Sequence, residues 1–309
     1  MKRRWIGIGY QNKRLAELYS RLNYLFLVNH LEDLKCEKAT KILVTSVYRV
    51  AVGFMCIQSF AQAQETKTGK TNTLPTKRLL MNLRKIVIAI DGYSACGKSS
   101  TAKLVANVLG YRYIDTGAMY RAVTLYFMEH HVALTNPKEI SRALQQINIS
   151  LKVNSKNITE TFLNGLNVEK PVRSMRISER VSEVSAIKEV RMAMVEQQRK
   201  MGKEKGVVMD GRDIGTVVFP NAELKVFMNA DLLVRAFRRQ KELLEKDRMV
   251  DLDDVISNIV QRDEIDTTRI ESPLRQAEDS ILIDTTHITL DEQVDEVVRL
   301  ALARVVSNP

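Results

Sequence analysis

From residue 85 onward, apolar positions alternate between two patterns. Short runs rich in β-branched side chains recur at 85–90, 111–114, 206–209, 224–228 and 281–283. Runs of that kind fit strands buried on both faces of a parallel sheet. Longer stretches between them place apolar residues every three or four positions, as amphipathic helices do; 99–109 and 174–203 are two such stretches. Five strands alternating with helices predict an α/β fold built on a doubly wound, five-stranded parallel sheet. Two regions interrupt the alternation. Over 147–172, the alternating run Ile149-Ser150-Leu151-Lys152-Val153 and an Asn164-Gly165 turn within Phe162 to Val168 predict local antiparallel structure. Over 232–270, charge is dense and the period helical, with Arg235, Arg238 and Arg239 close together.

The first quarter of the chain differs. Residues 1–80 hold 14 Lys/Arg against 5 Asp/Glu, whereas the remaining 229 hold 33 against 32. The net charge of +10 therefore belongs almost wholly to the N-terminal segment, and the rest is expected to bind neither nucleic acid nor membrane. Residues 42–60 are apolar at nearly bilayer-spanning length, but Arg49 in their middle argues against spanning. A cleavable export signal would stand at the extreme N-terminus, and this stretch starts about forty residues in. Residues 62–78 read as a solvated linker. Three readings of 1–80 stay open: an upstream misassignment with translation starting at Met81, a basic extension that touches membrane or nucleic acid, and a small helical appendage. Cys36, Cys56 and Cys96 supply neither a disulfide framework nor a zinc set, so a reducing, cytoplasmic setting is expected.

Chemistry enters after the first apolar run. Gly92-Tyr93-Ser94-Ala95-Cys96-Gly97-Lys98-Ser99, with Ser100 next, fits G-x-x-x-x-G-K-[ST] between a strand and a helix, the context that a phosphate-binding P-loop requires. Its backbone N–H groups would cradle phosphate oxygens at the positive end of a helix. Lys98 would reach the β and γ phosphates, and the Ser99 hydroxyl would ligate Mg²⁺ brought in with ATP. Such a loop identifies a nucleotide donor and leaves the acceptor open.

The acceptor is sought at the carboxyl ends of the next strands, where open α/β sheets bind ligands. Asp115-Thr116-Gly117-Ala118-Met119-Tyr120-Arg121 and Asp210-Gly211-Arg212-Asp213-Ile214-Gly215-Thr216 stand there. Arg262, Asp266 and Arg269 share one helical face at spacings of four and three. These arginines exceed what one triphosphate needs, which points to a second phosphorylated substrate. Periodicity alone also allows Ser182, Arg191 and Arg262 to sit on solvated helix faces, and Arg235, Arg238 or Arg239 to pair with Glu242 or Glu245.

From about Lys85 to the C-terminus the chain resembles the bacterial cytidylate kinases, members of the nucleoside monophosphate kinase branch of P-loop proteins. The resemblance rests on the P-loop, DTGAMYR, DGRDIGTVVFP, RDEIDTTR and SPLRQAEDSILIDTT, in that order and spacing. It implies ATP-dependent phosphorylation of CMP and dCMP, with Ser182, Arg191 and Asp213 reading cytosine and Arg262 and Asp266 holding the ribose hydroxyls. Arg121, Arg212 and Arg269 would grip the monophosphate, and Lys98, Arg212 and Arg269 would act in catalysis. Thr116 stands where the family commonly has Ser, which keeps the hydroxyl. The resemblance further implies a monomer in which 147–172 belongs to an inserted monophosphate-binding domain and 232–270 is a helical lid. Residues 1–80 have no counterpart in the family pattern. Rival readings are a kinase for another small acceptor, a P-loop switch without transfer, and a kinase fold carried by a working basic N-terminus.

Overall fold

A computed structural model describes residues 84–155, 159–245 and 247–307. The chain divides into two units, Met1–Asn82 and Leu83–Pro309, and everything described belongs to the second. The basic segment 1–80, its apolar stretch and Met81 lie outside the described residues.

Five strands form the main sheet: β1 (Val87–Gly92), β2 (Arg112–Asp115), β6 (Val207–Asp210), β7 (Leu224–Asn229) and β8 (Ile281–Asp284). Their order is β2-β6-β1-β7-β8 and every pairing is parallel. All five match the predicted runs, with ends displaced by one or two residues. Every residue of the central β1 is buried, which explains its lack of polar alternation. Its pleat sends Val87 and Ala89 into the larger core, with Met119, Val123, Phe127, Met194 and Met209. On the other face α1 (Lys98–Leu109) packs against the C-terminal helix α8 (Leu290–Ser307). Burying each large side chain contributes about 1.5–3 kcal/mol.

The large-core face carries α2 (Thr116–Glu129), α3 (Pro137–Gln145), α4 (Met175–Ala186) and α5 (Lys188–Gly202). The single amphipathic run expected over 174–203 is thus two helices. Ile187 adopts an extended conformation between them, and the Arg191 guanidinium reaches back to the Ser185 carbonyl at 2.9 Å. That bond satisfies an acceptor which the end of α4 leaves unpaired. The Arg191–Ser185 bond spans the break, which hydrophobic period does not announce.

The first interruption is a small antiparallel sheet of β3 (Ile149–Val153), β4 (Thr159–Leu163) and β5 (Leu166–Asn167). Asn164 (φ 50°) and Gly165 (φ 85°) make the predicted hairpin turn, whose two central residues both need positive φ. The second interruption is a helix pair, α6 (Leu232–Leu244) and α7 (Leu252–Thr268), with a core of its own around Ala236, Leu243, Val255 and Ile259. Asp251 caps α7 by accepting the Asp253 N–H at 3.0 Å, which fixes where the second helix starts. Among the described residues no helix is long and apolar enough to cross a membrane.

Candidate active site

Parallel pairing brings the carboxyl ends of all five strands to one edge, and a cleft of about 1270 Å³ opens there. That exceeds the roughly 300–1,000 Å³ of a site for one drug-sized ligand. The P-loop forms one end. Gly92 (φ 145°) admits no side chain, because a Cβ would collide with the Met228 carbonyl of β7. Gly97 stands at the N-cap of α1, so the loop leads straight into the helix terminus. The Lys98 ammonium, buried inside the loop, donates to the Tyr93 carbonyl and lies 3.5 Å from the Cys96 thiol. Burial and the nearby Arg212 lower its pKa.

Two anchors hold this loop to the second inserted region. Asp263 of α7 accepts the Ser94 N–H at 3.0 Å, while Arg235 of α6 donates to the Ser94 carbonyl at 3.2 Å and pairs with Asp263. The Thr285 hydroxyl donates to the Cys96 carbonyl at 3.0 Å, and Arg238 donates to Thr285. Arg239 pairs with Glu242, as helical spacing allowed. All three arginines of α6 thus have protein partners.

The opposite end is built from the turns after β2 and β6 and from α4, α5 and α7. Arg191 and Asp213 form a buried ion pair, each side chain 3% exposed. Ser182 is 4% exposed and lines the same cleft. The solvated-face alternative for Ser182 and Arg191 therefore fails. Arg262 is half-buried and, among the described residues, makes no hydrogen bond or ion pair; its Nε is enclosed without a partner. Thr116 is buried and its hydroxyl donates to the Asp210 carbonyl at 2.6 Å, so toward the cleft it can only accept.

Asp266 lies between two arginines, accepting from Arg212 Nε at 2.8 Å and from Arg269 Nη1 at 3.2 Å. Burial would raise this carboxyl, yet Arg212, Arg269 and Arg262 together hold it below its ordinary value. Among the described residues Arg121 has a single hydrogen bond, to Ser178 Oγ at 2.7 Å. Burial, with Arg262 and Arg173 close by, pushes Arg121 down to about 9; burial and Arg212 push Arg262 down to about 10. Like charges confined around a void are unfavourable until an anion enters, so this end of the cleft is built for a polyanion. Two phosphate-binding ends facing one cleft suit transfer between two phosphorylated molecules.

The sequence model of the family described as cytidylate kinase matches residues 88–303. The chain belongs to the cytidylate kinase family. A cytidylate kinase of Cytophaga hutchinsonii is 62% identical over 225 residues, covering 72% of this chain and 96% of that protein. One from Parabacteroides distasonis is 51% identical over 215 residues, covering 68% and 94%. Among solved structures, a shikimate kinase from Bacteroides thetaiotaomicron is similar with TM-score 0.37 and 13% identity, covering 71% of this chain and 99% of that one.

Sequence reasoning passed over two residues that line this family member's cleft, Asp210 and Arg173, and a third, Asp91, that does not line it. Asp210 ends β6 and accepts from the Ser99 hydroxyl at 2.6 Å and the Tyr113 hydroxyl at 3.0 Å. An acidic residue closing an apolar strand next to the P-loop strand was the available signal. Burial and the neighbouring Asp115 raise Asp210 to about 6. Arg173 bonds both Asp115, at 2.7 Å, and Glu169, whose other oxygen accepts from Thr161. It thereby ties the small sheet to the start of α2, a link that no local pattern reveals. Asp91, the third, is buried near the carboxyl end of β1.

Proposed function

We propose that this chain transfers the γ-phosphoryl group of ATP to the 5′-phosphate of CMP or dCMP, giving ADP and the nucleoside diphosphate. Membership of the cytidylate kinase family supports this activity, and the crowded Arg121 and Arg262 opposite a P-loop are the observation that carries it onto this cleft. The acceptor oxygen is already anionic, so no dedicated base is required. Catalysis consists of alignment and neutralisation of spreading charge. Lys98 moves from the Tyr93 carbonyl to the donor phosphates, while Arg121, Arg212 and Arg269 hold the acceptor phosphate and Asp266 fixes the last two. Arg262 faces the ribose.

Selectivity for the base rests on Asp213, Arg191 and Ser182. The Asp213 carboxylate offers an acceptor to the exocyclic amino group of cytosine, and Arg191 holds that carboxylate in place. Uracil presents an oxygen there, and a buried acceptor facing another acceptor costs about 1–3 kcal/mol.

The donor set fits Mg²⁺: the Ser99 hydroxyl and Asp210 are hard oxygens 2.6 Å apart, and a cation would offset the cost of the buried carboxylate. When held by Ser99 and Asp210, the ion would supply positive charge that neutralises the donor phosphates. The small sheet and the α6–α7 pair serve as flaps that exclude water over acceptor and donor respectively. The protein acts in the cytoplasm as a monomer, in keeping with the family resemblance, and residues 81–309 are its kinase part.

ADP formation by the full chain, with ATP and Mg²⁺ against CMP, dCMP, UMP, AMP and GMP, tests the reading. Turnover selective for CMP and dCMP is expected. ATP binding without transfer to any monophosphate would refute it.

A further inference from the structure

Asp91 is the last but one residue of β1 and directly precedes the P-loop motif, and the transfer just described makes no use of it. Its Oδ1 accepts the N–H of Ile214 at 2.8 Å and its Oδ2 the N–H of Gly215 at 2.7 Å. These are the first two donors of the helical turn Ile214–Val218, which opens on Asp213 without a side-chain cap of its own. The start of any helical turn leaves N–H groups unpaired, and a carboxylate is their strongest side-chain acceptor. Here the cap arrives from a strand 123 residues earlier in the chain.

The contact is built in several ways. Asp91 is 5% exposed, so solvent cannot replace it as acceptor. Burial raises the carboxyl to about 7 even though both amides stabilise its charged form, and Lys98 and Asp213 are the charged groups around it. The Gly211 N–H is fixed to the same strand, through the Ile90 carbonyl at 3.0 Å. Room is tight: a Cβ on Gly215 would stand 3.2 Å from the Lys225 side chain and 3.4 Å from Asp91 Oδ2. Arg212 and Asp213, the residues assigned to the acceptor phosphate and base, lie between the two anchored points.

We propose that Asp91 is a positioning residue for acceptor selectivity: by gripping both amides it sets the turn that carries Arg212 and Asp213, and joins that turn to the strand bearing the P-loop. The inference rests on the proposed function. Asp91→Asn tests it, because the amide keeps the shape, removes one acceptor and turns a donor toward a backbone donor. In the full chain at saturating ATP, we expect the CMP KM to rise about tenfold and the CMP-over-UMP preference to fall about tenfold, with the ATP KM within about twofold. An unchanged CMP KM and preference, or ATP and CMP constants that shift in equal proportion, would overturn the proposal. Amide exchange in the wild-type chain decides the matter even if the variant does not fold. The Ile214 and Gly215 amides should be protected like those of the β1–β6 ladder; exchange as fast as the exposed Lys152–Val153 edge would overturn the clamp. A wild-type chain that transfers nothing to CMP refutes the function and the inference together. A selective wild type with an equally selective Asp91→Asn variant refutes the inference alone.

Discussion

The three arginines of α6 stand within five residues, those at the acceptor end come from segments far apart in the chain, and their surroundings differ. Arg235 is 8% exposed and is matched by Asp263, the Ser94 carbonyl and the Ala230 carbonyl. Arg121 and Arg262 are half-buried, and both are pushed down by burial and by other guanidinium groups. Arg235 has its carboxylate partner in the protein, whereas Arg121 and Arg262 have none among the described residues, a cost that the proposed anionic substrate would offset. Density of arginine in a segment therefore says less about substrate contact than the supply of acceptors around each side chain.

Lys98 bears on both ends of this contrast, since a backbone carbonyl holds it here and the proposed transfer assigns it to the donor phosphates. Lys98→Ala is expected to lower kcat/KM about 10³-fold in steady-state assays, the scale of losing a principal cation on a transferring phosphoryl group. Next comes Arg235→Met, which strands Asp263 without its cation. Denaturant unfolding should show a loss of about 3 kcal/mol, the lower end for breaking a buried pair. Arg121→Met should do the reverse, raising the CMP KM about 100-fold in initial-rate assays while leaving stability unchanged or slightly higher, because a crowded charge is removed. Asp213→Asn should lower the CMP/UMP ratio of kcat/KM about tenfold, as expected for one mismatched polar contact. The smallest effect is assigned to Arg239→Ala: its pair with Glu242 is partly solvated, and unfolding should change by less than about 0.5 kcal/mol. A large rise in CMP KM from Arg239→Ala would break the contrast from the other side.

Much of the architecture was legible in advance. The β-branched runs locate all five strands because burial on both faces leaves a signature independent of the rest of the chain, and Asn164-Gly165 marks its turn for a purely local steric reason. The P-loop is equally local. What escaped depends on partners distant in sequence. Nothing in 174–203 shows that the helix will break at Ile187, that Arg191 will pair with Asp213, or that Ser182 will be sealed from solvent. Asp91 and Asp210 read as ordinary strand ends until parallel pairing sets them beside the turn at Ile214 and the hydroxyl of Ser99. The same is true of Arg235 and Arg238, whose partners include α7, the P-loop and the residue after β8.

On the proposed function, Arg121, crowded by guanidinium groups and without a carboxylate partner, is held for substrate, whereas Arg235, paired with Asp263, is structural. Parallel measurement of melting temperature and CMP KM for Arg121→Met and Arg235→Met in the full chain tests it most directly. The first variant should keep its melting temperature and lose CMP affinity about 100-fold. The second should melt about 6–12 °C lower, the shift that ~3 kcal/mol produces in a domain of this size, with its CMP KM preserved. Two variants that lose stability and CMP affinity in the same proportion would contradict the account.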